Sequence, residues 1–164
     1  MYQASVPVFV RMFGNLSAIL DKAAAFAEAK KIDPSVLVNA RLAVDMLPLS
    51  KQVQIASDAA KGAGARLTGS DVPSFADTET TFPELQARIA KTVDFLKGLD
   101  AAQFDGSESK EIVLTLAKGE VTFTGDAYLL NFVLPNFYFH MTTAYAILRH
   151  NGLDLGKMDY LGAL

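Results

Sequence analysis

Hydrophobic positions recur at helical spacing along most of the chain. Phe9, Met12, Phe13, Leu16, Ile19, Leu20, Ala23 and Phe26 share one broad apolar face, which predicts a helix over residues 6–29. Ser5 stands as its cap, ahead of Pro7. Asp33 followed by Pro34 is a helix start, so a short turn of helix is expected over 34–38. Residues 39–48 then mix polar and apolar positions without a period, as connectors over a site mouth often do. A second long helix is predicted from about Pro48 to Leu67. Its inner face is small, with Ala56, Ala59, Ala60 and Ala63 flanked by Gly62 and Gly64. Small residues let a neighbouring backbone approach closely, whether from the same chain or from a second subunit.

Residues 68–80 are polar and rich in turn formers. Thr81 and Glu84 make a capping box, opening a third helix that buries Leu85, Ile89, Val93 and Leu96 and ends near Gly98. The period then changes to two. Residues 111–116 and 120–124, joined at Lys118-Gly119, read as a β-hairpin that must lie against the helices, because two strands alone are marginal. A last long helix is expected from about Asp126 to Asn151, stopped by Gly152 and kinked at Pro135. These elements describe a mainly all-α protein with a single domain spanning residues 1–164. The expected architecture is a four-helix bundle with a long crossover and a small hairpin before the last helix.

Composition narrows the function classes. A chain of 164 residues, 51% of them hydrophobic, can bury roughly 70% of the surface its unfolded form exposes. With no cysteine, a disulfide scaffold, a cysteine zinc site and a cysteine nucleophile are excluded, and any thiol chemistry needs an external thiol. A net charge of −3 without a Lys/Arg block argues against nucleic-acid partners. No window offers the roughly 20 uncharged apolar residues of a membrane span, and the apolar N-terminus lacks a basic leader. A cytoplasmic protein is expected.

Helical-wheel arithmetic locates the candidate chemistry. On the last helix Leu129, Phe132, Asn136, His140, Thr143 and Ile147 share a face, so Asn136 and His140 project inward one turn apart. On the second long helix Gln52 shares the face of Leu49, Ala56, Ala59 and Ala63, whereas Gln54 and Asp58 point elsewhere. Gln52, Asn136 and His140 thus form a candidate polar site, with His140 as the candidate catalytic group. The plainer reading is a set of buried polar groups that satisfy one another. Arg41 and Asp45 on the connector either frame the mouth and orient an anionic ligand or pair with each other. His150 lies about 15 Å along the axis from His140 and is expected to serve the helix C-terminus. Tyr138, Tyr145 and Tyr160 read as partly exposed aromatics at helix or subunit contacts. The metal donors are His140 and Asp45 with weak amides, too few for a tight transition-metal site, so His140 is only a weak metal candidate. No Gly-x-Ser-x-Gly elbow and no glycine-rich phosphate loop occurs.

The segments MYQASVPVFVRMFGNLSAIL, NARLAVDMLPLSKQVQIASD, TFPELQARIAKTVDFL and LPNFYFHMTTAYAILRHNG resemble a bacterial domain of unknown function grouped with the DinB/YfiT-like superfamily. The resemblance covers nearly the whole chain, and the second and fourth segments are its most specific parts. It implies a four-helix bundle with a long crossover, a hairpin before the last helix, and homodimers. Metal-binding members carry one His on the second helix and an H-x-x-x-H pair on the fourth, and some are thiol-dependent transferases or isomerases. In that pattern His140 matches the second His of the pair, Asn136 stands in place of the first, and Gln52 is the nearest counterpart of the second-helix His. Two of the three ligands are replaced, which argues against metal.

Three functional expectations follow. The first is a homodimer that binds a small molecule near Gln52, Asn136 and His140. The second is a metal- or thiol-dependent transferase or isomerase with a degenerate His site. The third is a non-catalytic dimeric interaction protein that uses the Ala/Gly-rich second helix as its contact surface.

Overall fold

The computed structural model describes residues 1–116 and 118–163. Helix α1 spans Val6–Lys30, α2 Pro34–Val38, α3 Leu49–Thr68 and α4 Phe82–Lys97. Strands β1 (Glu111–Leu116) and β2 (Gly119–Thr124) form an antiparallel hairpin in the register Glu111↔Thr124 to Leu116↔Gly119. The one-turn helix α5 (Gly125–Ala127) leads through a π-helical turn, Tyr128–Val133, into α6 (Leu134–His150), and α7 (Lys157–Leu161) closes the chain. The pattern of hydrophobic positions anticipates every long helix and the hairpin. It does not reveal α7, which is too short to show a period.

Local chemistry accounts for most of the boundaries. The backbone N–H of Glu84 donates to the Thr81 hydroxyl at 3.3 Å, and Glu84 accepts from the Thr81 N–H at 3.0 Å, completing the capping box. Asp33 caps α2 by accepting from the Ser35 N–H at 2.9 Å. Ser5 departs from expectation. It occupies the cap position of α1, but its hydroxyl donates back to the carbonyls of Met1 and Tyr2, binding the 3-10 turn Tyr2–Ala4 that precedes the helix.

Pro135 acts differently from a simple mid-helix kink. It sits at the second position of α6, directly after the π-helical turn. A proline ring clashes with the carbonyl four residues back and offers no N–H, and one wide turn relieves both problems without breaking the helix. The backbone accommodates Pro135 by widening.

In the bundle α3 packs against both α4 and α6, and α4 packs against α1. The chain crosses between α4 and α6, where the 3-10 turns Ala101–Phe104 and Ser107–Ser109 and the hairpin carry it over. Phe9 and Phe13 of α1 meet Phe137 of α6 edge-to-face, with centroids 4.8 and 5.3 Å apart. All three are fully buried, and such pairs add about 1 kcal/mol each beyond their burial. The hairpin turns Ile112 and Leu114 inward and leaves Val113 and Val121 exposed, while Phe123 reaches the Tyr128 and Phe132 rings.

The small-residue face of α3 is used inside the chain. Ala56, Ala60, Ala63, Gly62 and Gly64 are all buried, and a Cβ on Gly64 would come within 2.7 Å of Leu99 and 3.1 Å of Leu96. This removes the expectation that the Ala/Gly face of α3 is a contact surface, because the closely approaching partner belongs to the same chain. No described helix is long and apolar enough to cross a membrane.

Candidate functional site

His140 and Gln52 meet. The imidazole Nδ1 lies 2.7 Å from Gln52 Oε1, joining α6 to α3 across 88 residues of sequence. The same amide donates from Nε2 to the carbonyl of Leu47 at 2.8 Å, at the end of the connector. A carbonyl can only accept, so Leu47 fixes the amide with its NH2 toward the connector and its oxygen toward the imidazole. The Gln52 oxygen then requires a proton on Nδ1, which leaves the lone pair of His140 on Nε2. Both residues are buried, at 8% and 2% exposure. Nε2 has no hydrogen-bond partner among the described residues, and it is not among the fully occluded polar atoms. Burial lowers the imidazole below its ordinary value, so His140 is neutral near pH 7.

Asn136, one turn earlier, is not part of this pair. The centre of the buried stripe on α6 runs through Phe137, Met141, Ala144 and Leu148, and Asn136 lies on its flank, half-buried. Its amide lines a neighbouring cleft of about 410 Å³ between α3, the hairpin and the start of α6. Ile55, Ala59, Phe132, Val133 and Leu114 make apolar walls there, with Asp58, Arg66, Thr115 and Tyr128 as the polar residues beside Asn136. Arg66 Nη1 donates to the Tyr128 hydroxyl at 3.2 Å. Gly62 leaves room for this placement, because a Cβ there would crowd Nη1 of Arg66 and make the side-chain end shift.

The remaining candidates sit elsewhere. Arg41 and Asp45 are exposed, line no wall of this cleft, and form no ion pair with each other among the described residues. Arg41 instead donates to the Met46 carbonyl, closing the connector on itself. His150 is exposed, and the end of α6 is served by its neighbours: Asn151 donates to the Ile147 carbonyl and Arg149 to that of Leu153. The tyrosines Tyr145 and Tyr160 work within the chain. Their rings meet edge-to-face, Tyr145 donates to the Leu155 carbonyl, and the Tyr160 hydroxyl accepts from Thr142, all of which dock α7.

Metal donors do not converge. Among the described residues no three His, Asp or Glu side chains lie close enough to hold a metal ion, and Nδ1 of His140 is committed to an amide. The donor set does not fit a transition metal.

Sequence reasoning missed one polar centre altogether. Arg88 of α4 is 3% exposed and contacts three carboxylates: Asp77 at 2.6 Å, Asp58 at 2.7 Å and Glu79 at 3.0 Å. Lys61 joins Asp58 at 2.9 Å, and Lys61, Arg88 and Lys91 surround the ring of Phe75. Burial alone disfavours the guanidinium charge, but the hydrogen bonds it donates to Glu79 and Asp77 outweigh that and raise the group above its ordinary value. The partners come from α3 and from the 69–80 connection, so no helix wheel could have shown them. The available signal was the acid-rich composition of that connection.

The comparisons with known proteins agree with this architecture. The profile of a family described as domain of unknown function DUF1993 matches residues 1–161. A solved structure, a DinB family member protein from Shewanella denitrificans, is 48% identical, covers 99% of this chain and 92% of its own, and superposes with a TM-score of 0.94. No curated protein matches. A match over almost the full length, joined to the close superposition on a DinB family member, means that this chain belongs to the DUF1993 family of DinB-like domains of unknown function.

Proposed function

We propose that the protein is a cytoplasmic homodimer that binds a small organic molecule in the cleft around Asn136, beside the His140–Gln52 pair. The observation that carries the reading is the cleft itself. It combines apolar walls with a few fixed polar groups, the usual make-up of a small-molecule site. One turn further along α6, the lone pair of His140 is held in a set orientation by Gln52 and Leu47. Exposed Leu42 and Phe139 share a shallow apolar depression with Tyr138 and Ala146, and this face supports the contact with a second copy.

A fragment screen read by amide shifts of 15N-labelled protein tests the binding reading. Hits are expected to move residues of α3 from Ile55 to Arg66 and residues 132–140. Hits confined to other surfaces, or none at all, would sink it. Light scattering at tens of micromolar tests the dimer, and a monomer there counts against it.

The open lone pair on His140 favours one further reading, a group-transfer enzyme in which Nε2 accepts the proton of an external thiol. His140→Gln would then abolish turnover while leaving ligand shifts in place.

A further inference from the structure

We infer that the Asn136 cleft selects a small organic carboxylate with a short apolar body, held by Arg66. The inference rests on the cleft being a binding site, and it assigns the ligand class. Arg66 is half-buried in the wall, yet no carboxylate lies within ion-pair distance of it among the described residues. Its one protein acceptor there is the Tyr128 hydroxyl, which leaves most of the guanidinium fork unused. Asp58, the acid in the same wall, does not neutralise it. The Asp58 carboxylate is held by Arg88 and Lys61 and makes no ion pair with Arg66 among the described residues.

The surrounding chemistry favours one negative charge over two. A planar guanidinium fork suits a planar carboxylate, and Asn136 adds an amide that can donate to it. A phosphate dianion would want further cations and would meet the Asp58 end of the same cleft. Beyond the fork, Ile55, Ala59, Phe132 and Val133 offer an apolar floor. From Ile55 to Gly62, beside which the guanidinium lies, it runs about 10 Å along the helix, room for a short aliphatic chain or a ring. Gly62 is the second signature of the site. Alanine would be the better helix former there, but its Cβ would crowd Nη1 and make the end of the Arg66 side chain shift.

Octanoate, octan-1-ol and octyl phosphate, titrated into 15N-labelled protein, separate the possibilities. Octanoate is expected to shift the amides of Gly62, Arg66 and Asn136 and to bind more tightly than the alcohol or the phosphate. Arg66→Gln should weaken octanoate about tenfold or more and leave the alcohol unchanged. Gly62→Ala, which keeps the charge and favours the helix, should weaken octanoate by less than Arg66→Gln and leave the alcohol unchanged. Equal binding of acid and alcohol, tighter binding of the phosphate, or an unchanged octanoate affinity in both variants would overturn the carboxylate assignment and leave the cleft as a binding site. Probes that move no cleft residue at all would overturn both.

Discussion

Two polar centres flank α3, and they solve the problem of buried polarity in opposite ways. Around Arg88 three cations, Lys61, Arg88 and Lys91, gather on Phe75, and three carboxylates, Asp58, Asp77 and Glu79, pair with Arg88 and Lys61. Their charges balance, and the connection between α3 and α4 is strapped to the bundle. Around Asn136 and His140 the balance is left open: among the described residues Arg66 has no ion-paired acid, and Nε2 of His140 has no hydrogen-bond partner. A balanced centre stabilises one conformation, whereas an open one keeps an attraction in reserve for a molecule from solution. Both centres border cavities of similar size, about 440 and 410 Å³, so volume does not separate them. The fate of the charges does.

If the Arg88 centre is structural, breaking it should give the largest loss of stability. Arg88→Ala leaves three acids facing one another beside Lys61 and should cost about 3 kcal/mol in urea unfolding. Asp58 and Asp77 keep about two-fifths of their side-chain surface in water, which holds the loss toward the low end for a buried pair. Binding in the Asn136 cleft should persist in this variant under native conditions, and a selective loss of binding at full stability would reverse the roles assigned to the two centres.

A smaller loss is expected from Gln52→Ala. It leaves the Leu47 carbonyl and the His140 Nδ1 proton unpaired, at a cost of about 2 kcal/mol. Because Leu47 ends the connector, limited proteolysis within residues 39–48 should speed up in the variant. Unchanged cleavage would mean that the amide does not tether the connector.

The smallest expected effect is a pH dependence. Burial lowers the native value for His140 below the ordinary 6.5. As pH falls, the unfolded chain therefore binds this proton before the folded one does. The contribution of neutral His140 is complete above about pH 6.5 and is lost as pH drops from there toward the depressed native value. Comparing wild type with His140→Gln between pH 7.5 and 5 isolates it. The wild type should lose more stability over that interval, and parallel curves would show that the imidazole is not desolvated.

Much of this could be read in the sequence. The wheel brings Gln52 and His140 to facing sides and turns Gln54 toward Glu79, whereas Asp58, which pairs with Arg88 and Lys61, also borders the Asn136 cleft. It erred on Asn136 for a physical reason. The deepest stripe of α6 is centred on Phe137 and Met141, and an adjacent position turns a side chain about 100° away. Asn136 therefore sits at a cleft rather than in the core. Arg41 and Asp45 lie on a connector without a period, where nothing in the sequence indicates direction.

The amino-acid sequence alone determined what short-range forces decide. Apolar spacing, the capping box at Thr81, the Asp33-Pro34 start and the stop at Gly152 each act within one or two turns, so the helices and the hairpin were legible. The absence of cysteine likewise settled which nucleophiles and ligands the chain cannot supply. Only the tertiary structure decided which polar groups meet. Arg88 finds its acids 9 to 30 residues away, and His140 finds its amide 88 residues away. Those meetings depend on the rotation and axial offset of one packed helix against another, and a shift of one residue, 1.5 Å and 100°, would bring different side chains together.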